Sequence, residues 1–175
     1  MAVVRKLAGH ALVEIRDPAY LRKVGGFALV GSPFRLVMTG TTEQMVRELI
    51  NRGSTTVWSE ETLDLVSTDE QIGVSGVNSK ITILAKPGSG YIGTIGLLYR
   101  RVNFSRLFID LDLSEPLSPI VDLADALSQI NQCYGLFLEE SDVEATVVSG
   151  QTQVTLTASN TNYVVLPGTE VTIGT

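Results

Sequence analysis

The sequence predicts an α+β fold, antiparallel β-sheets with two helices, built as an internal duplication of a strand–helix–hairpin unit. Three observations lead there. Met45, Val46, Leu49 and Ile50 recur at helical spacing, and so do Leu123, Ala124, Leu127 and Ile130. Each helical stretch is followed by runs with the two-residue alternation of strands, Lys80–Ala85 and Gln153–Ala158. The two sets also keep the same order, which is the signature of a repeated unit, here of ~70 residues.

In chain order, residues 1–26 read as an N-terminal arm. Ala2–Val4 and Leu12–Ile15 have the character of short strands, Asp17-Pro18 opens a turn, and Gly25-Gly26 breaks the chain. Residues 27–101 form the first unit. Phe34–Met38 reads as a strand, Thr41-Thr42-Glu43-Gln44 as a capping box opening a helix, and Gly53 as its stop. An acidic turn follows at Ser59-Glu60-Glu61, then a strand at Lys80–Ala85 and another from Tyr91 to Arg100. Residues 102–175 form the second, related unit. Ser105–Ile109 reads as a strand, Ser118-Pro119 as a helix start, and Gly135 as the stop. Then come the acidic turn Glu139–Asp142, a strand at Gln153–Ala158, a polar turn Ser159–Asn162, and a last strand at Glu170–Ile173. Ile50-Asn51 answers Ile130-Asn131, and Tyr91 answers Tyr163. Two fused domains and one pseudo-symmetric domain both satisfy this pattern.

The chain has 175 residues, 44% of them apolar, enough for a sizeable core. Charged residues make up 18%, against roughly 25% in an average soluble protein. Such a surface suits either coverage by partners or a Ser/Thr-rich β-domain. The net charge of −6 lacks the footprint of a nucleic-acid binder, and pairs such as Arg100-Arg101 read as solvated edges. No run approaches the ~20 apolar residues of a membrane span, and no signal-peptide pattern opens the sequence, so neither membrane insertion nor secretion is expected. One cysteine and one histidine exclude a disulfide framework and the common zinc spacings.

One stretch imitates a catalytic signature. "AKPGSGYIGTI", residues 85–95, matches the G-x-G-x-x-G spacing of a dinucleotide-binding turn. That fingerprint needs a helix after the glycines, whereas Thr94–Tyr99 lacks helical spacing and Gly96 weakens any helix there. The corresponding turn, Ser159-Asn160-Thr161-Asn162, has no glycine yet sits between similar strands. Glycine and asparagine both tolerate positive φ, so a hairpin turn explains both stretches.

Other candidates for chemistry read as structural. Cys133 has no histidine near it in sequence and reads as a buried small hydrophobe. His10 lies in the arm. Glu139, Glu140 and Asp142 read as a solvated turn, lacking the alternating ladder of a calcium loop. Asp110-Leu111-Asp112 reads as the wet face of an edge strand. No G-x-S-x-G elbow is present, and Asn103-Phe104-Ser105 matches the glycosylation acceptor pattern without an export signal. Trp58 suits core or interface filling. No catalytic residue, metal site or cofactor is expected, and the chain reads as non-enzymatic.

"LADALSQINQCYGLFLEESDV", residues 123–143, then "TQVTLTAS" and a final strand, resembles a module of virion structural proteins of large tailed bacteriophages. The shared features are a helix ending in Ile130-Asn131-Gln132-Cys133-Tyr134-Gly135, an acidic turn, and a Thr-rich terminal hairpin. Residues 90–108 resemble the strand and linker before that helix, so the likeness covers about residues 80–175. The first unit departs from it, because Ile50-Asn51 is followed by Arg52-Gly53 without a tyrosine. The resemblance implies a building block of the phage particle, present in several copies and located in the virion assembled in the host cytoplasm. Its partners would be copies of itself and other virion proteins, with no membrane, sequence-specific nucleic acid or small-molecule substrate. The arm would reach onto a neighbour through Val3, Val4, Leu7, Leu12 and Val13, or form the first strand of its own domain. An adhesive or carbohydrate-binding module using Trp58 and exposed tyrosines is the alternative, and a small enzyme comes third.

Overall fold

The computed structural model describes residues 5–6, 35–52, 57–70 and 77–175. It is an α+β fold with antiparallel sheets. The assembly contacts expected at Val3, Val4, Leu7, Leu12 and Val13, as well as His10 and the helix stop at Gly53, lie outside the described residues.

Arg5–Lys6 (β1) pairs in parallel with Tyr91–Ile92 (β4). Helix α1, Thr42–Arg52, opens with the expected capping box: the Thr41 N–H donates to Gln44 Oε1 at 3.0 Å and the Gln44 N–H to Thr41 Oγ1 at 3.3 Å. Its face of Met45, Val46 and Leu49 is buried. Strands β2 (Leu63–Glu70), β3 (Ser79–Ala85) and β5 (Thr94–Tyr99) then form an antiparallel sheet in the order β2-β3-β5. Helix α2, Leu123–Tyr134, is followed by β6 (Val143–Glu144), β7 (Gln153–Ala158) and β8 (Glu170–Gly174), in the order β6-β7-β8.

The glycine stretch is a turn. The Ser89 N–H donates to the Lys86 carbonyl at 3.2 Å, and Gly88, Gly90 and Gly93 sit at φ values of 81°, 82° and 103°. A strand, β5, follows Gly93. Those backbone angles need glycine, so its purpose here is geometric.

Four local expectations are corrected. Ser105–Ile109 is not a strand: Phe104–Leu107 is a 3-10 helix whose first and last side chains, three apart, enter the core together. Residues 35–38 belong to no strand, and the Leu36 N–H donates to the Arg106 carbonyl at 2.9 Å. Helix α2 starts after Asp122 rather than at Ser118-Pro119, with Asp122 accepting the Asp125 N–H at 2.9 Å. The intervening segment binds the hairpin before β7 instead, Leu117 N–H to Thr152 O at 3.0 Å and Ile120 N–H to Gln151 O at 2.8 Å. Asp110, at φ 63°, takes part in a turn, so Asp110-Leu111-Asp112 is not an edge strand.

One buried cluster joins side chains from both halves, among them Met45, Ile83, Phe104, Leu107, Ile130 and Leu156. Burial of that set is the dominant favourable term in such a fold. The two halves therefore stabilise each other.

Candidate functional site

The same polar geometry occurs in each half. Asn51 accepts the Trp58 N–H at 2.6 Å and donates to the Trp58 carbonyl at 2.9 Å. Asn131 does the same with Leu138, at 3.0 and 2.9 Å. A carboxamide carries both a donor and an acceptor, so one side chain can clamp one residue's backbone. The next turn also recurs. The Ser59 N–H donates to Thr62 Oγ1 at 2.9 Å, and the Glu139 N–H donates to Asp142 Oδ2 at 3.0 Å. Beyond it, Leu63 pairs with Ala85 and Val143 with Ala158. The N–H groups of Lys86 and Ser159 donate to the Thr62 and Asp142 carbonyls, both at 2.9 Å. Even the parallel contact has an echo, since Val102 bridges Val165 much as Arg5 pairs with Tyr91.

The run Ile130-Asn131-Gln132-Cys133-Tyr134-Gly135 is a device that ends a helix. Ile130 is buried, Gly135 takes the left-handed conformation at φ 64°, and Arg35 donates to the Tyr134 carbonyl. The Tyr134 hydroxyl donates to the Asp112 carbonyl at 3.1 Å, and its ring meets Phe108 edge-on at 6.0 Å. Ile50 packs against the core from α1. The two tyrosines set in correspondence do different things: Tyr91 packs edge-on against Trp58 at 4.7 Å, whereas the Tyr163 hydroxyl reaches the Leu65 carbonyl at 3.5 Å. Trp58 is thereby half-buried by its neighbours rather than presented as an open platform.

Between the halves lies a buried polar junction. Thr42 Oγ1 donates to Asp142 Oδ1 at 2.6 Å, and both residues are buried. Asp142 is thus not the solvated turn acid the sequence suggests. Burial pushes its carboxyl up from the ordinary range, while the bonds from Thr42 and the Glu139 N–H pull it back. Arg101, read from sequence as a solvated edge, is buried too. Its guanidinium donates to Ser79 Oγ at 2.7 Å, Thr68 Oγ1 at 3.3 Å and the Asn162 carbonyl at 3.1 Å. Asn162 Oδ1 in turn accepts the N–H groups of Val164 and Val165, at 2.9 and 2.7 Å. Thr68 Oγ1 donates to the Asn160 carbonyl at 2.7 Å. The Tyr99 hydroxyl is buried without a hydrogen-bond partner among the described residues, and burial raises its pKa well above the ordinary tyrosine value.

A family model described as a family of unknown function (DUF7941) matches residues 37–174. The chain belongs to that family. No curated protein and no solved structure matches it. The matched span of DUF7941 takes in both helices, both three-stranded sheets and the whole polar junction, and begins after β1.

Two of the open clefts among the described residues lie near the second helix and its sheet. One, of about 630 Å³, lies where β6 stops short beside β7, against Ala145, Thr146, Gln153 and Thr155. The other, of about 470 Å³, is bordered by Asp112, Glu115, Gln129, Cys133 and Tyr134. Cys133 is exposed there, not buried as its residue type suggests. Asp112 is held below its usual carboxylate range by the hydroxyl and N–H of Ser114. No three His, Cys, Asp or Glu side chains among the described residues group as metal ligands, and no helix among them is long and apolar enough to cross a membrane.

The sequence-predicted residues Asn51 and Asn131 therefore clamp backbone within their own halves, whereas Tyr163 reaches the Leu65 carbonyl and the Tyr134 carbonyl accepts from Arg35 across them. Nothing local in the sequence marks Thr42, Arg101, Asp142 and Asn162, which also join the halves, for that contact. Their partners lie up to 100 positions away in sequence, as Thr42 and Asp142 do, and local pattern does not reveal such pairs.

Proposed function

We propose that this chain is a non-enzymatic structural component of a tailed-phage virion, assembling with copies of itself and with other virion proteins. Its two halves, in this reading, are copies of one helix-and-meander unit. The observation that carries the proposal is where its buried and half-buried polar groups are used. Asn51, Asn131, Arg101 and Asn162 bind backbone or one another across elements, and Thr42 binds Asp142. Groups used in this way hold strands and loops in register, which is what a load-carrying subunit requires. The resemblance of about residues 80–175 to phage virion modules supplies the setting.

The arm, residues 1–26, serves in this proposal as the element that orders on a neighbour. Its pairing of Arg5–Lys6 with Tyr91–Ile92 of the same chain gives it one anchor at home. The test is to follow a tagged chain through density-gradient fractionation of an infected-cell lysate. Co-migration with assembled particles, reduced by deletion of residues 2–26 while the body stays folded, is the expected result. A chain found only in soluble fractions overturns the virion reading, and normal incorporation of the deletion overturns the role of the arm.

A further inference from the structure

The contact that α1 and β2 of the first half make with the second half is one-directional, and residues 35–36 and Arg101 add bonds of their own to Arg106, Leu107, Tyr134 and Asn162. The first half contributes the start of α1, through Thr42, and the outer edge of β2, through the Leu65 carbonyl and the Thr68 hydroxyl. The second half receives them with a turn and a loop, through Asp142, Asn160 and Tyr163. Two different surfaces of like units meet, and a contact of that kind can be repeated from one molecule to the next.

Each surface has a counterpart in the other half that is open among the described residues. The counterpart of the donating surface is the start of α2 together with residues 145–148 beyond β6. Val121, just before the cap Asp122, is 67% exposed, whereas Gly40, just before the cap Thr41, is buried. Val148 is 54% exposed. A hydrogen bond from the Gly150 N–H to the Ile120 carbonyl, at 2.8 Å, ties these two segments together. Because β6 has two residues where β2 has eight, the 630 Å³ cleft opens beside this surface.

The counterpart of the receiving surface is the Thr62 turn with the loop Lys86–Ile92. Parallel pairing sets Val165 beside Val102 in one half and Ile92 beside Lys6 in the other. Val165 is 0% exposed, whereas Ile92 is 53% exposed. Among the described residues, the loop in the first half thus presents an exposed apolar side chain where the loop in the second half has a buried one. Isolated apolar side chains on a surface mean little, but these three fall on the counterparts of the two surfaces that the internal contact uses.

We infer that the chain associates head to tail with a second copy of itself. The start of α2 and residues 145–148 of one copy dock on the Thr62 turn and Lys86–Ile92 loop of the next, repeating the contact that joins the halves. The inference rests on the reading of the chain as a self-assembling building block, and it names the surfaces. Such a contact yields rings or filaments rather than a closed two-fold dimer.

Sedimentation velocity on the full chain over a wide concentration range tests it. Wild type is expected to gain mass stepwise as concentration rises. Val148→Asp and Ile92→Asp, both at exposed positions, are expected to stay folded by circular dichroism and to weaken association at least about tenfold, because docking would desolvate the new carboxylate. Val121→Asp is the second variant on the α2 surface, should Val148→Asp unfold. An equimolar mixture of Val148→Asp and Ile92→Asp is expected to form a one-to-one complex and nothing larger, since each retains the surface the other has lost. Variants that associate like wild type, or a mixture that stays monomeric while wild type assembles, overturn the head-to-tail contact and leave the assembly reading standing. A wild type that remains monomeric throughout overturns both.

Discussion

Replacing Asn131 by alanine removes two hydrogen bonds to one backbone residue and adds nothing in their place. Leu138 is buried, so its N–H and carbonyl lose partners at a site with little access to water. At a net ~0.5–1.5 kcal/mol per hydrogen bond, with the larger figure for groups left buried and unpaired, the loss is about 2–3 kcal/mol. Asn51→Ala removes the same two bonds from Trp58, which is only half-buried, so a smaller loss of about 1–2 kcal/mol is expected. Asn131→Asp keeps the acceptor for the Leu138 N–H but turns a carboxylate oxygen toward the Leu138 carbonyl, and is expected to cost at least as much as alanine at neutral pH. Urea denaturation followed by circular dichroism gives the differences from midpoint and slope. For a chain of this size the Asn131→Ala loss corresponds to a fall in Tm of roughly 5–10 °C. A change below about 0.5 kcal/mol for Asn131→Ala would refute the clamp as a stabilising device.

Three further outcomes follow from the polar junction. Tyr99→Phe deletes a buried hydroxyl that has no partner among the described residues, so stability should hold or rise by up to ~2 kcal/mol in the same urea assay; a loss above ~1 kcal/mol would mean that the hydroxyl is bonded after all. Arg101→Met leaves the Asn162 carbonyl and two hydroxyls without their donor, and a loss of at least ~3 kcal/mol is expected; near-neutral behaviour would contradict its role as a tie between the halves. Burial holds the folded-state pKa of Asp142 above its ordinary value of 3.8, so the folded form keeps its proton more readily and ionisation opposes folding. The stability of wild type relative to Asp142→Asn should therefore decline as pH rises from 3.8 through the raised folded-state value, and level off above it. A difference that grows with pH over that window would reverse the assignment.

Much of the fold is legible because its cues are local. The Thr41–Gln44 capping box, the Gly135 stop and the glycine turn before β5 each follow from neighbouring residues, and periodicity places both helices and β3 and β7 within a few positions. The asparagine pair is also visible, since Ile50-Asn51 and Ile130-Asn131 precede similar turns. The non-local contacts are not. Asp142 sits in a run of acids that reads as solvated, and only the fold brings Thr42 against it. Arg101 is half of a basic pair, yet β2, β3 and the loop after β7 enclose it. Cys133 occupies the last turn of α2, where the core-facing side is given to Ile130 and the cysteine is left at the surface. Ser118-Pro119 has the chemistry of a helix start, but the hairpin before β7 takes up its neighbours' N–H groups first.

In the inferred head-to-tail contact, the second half offers to another molecule a surface like the one by which the first half holds the second. A cysteine pair tests it most directly, with Val148→Cys and Pro87→Cys in a Cys133→Ser background. A disulfide forms only between Cα atoms within roughly 7 Å, so it reports which surfaces meet. Oxidation of the concentrated double variant should give a ladder of covalent multimers on a non-reducing gel, with nothing beyond a dimer from either single variant. No ladder from the double variant, while the uncrosslinked protein still self-associates, would contradict the account.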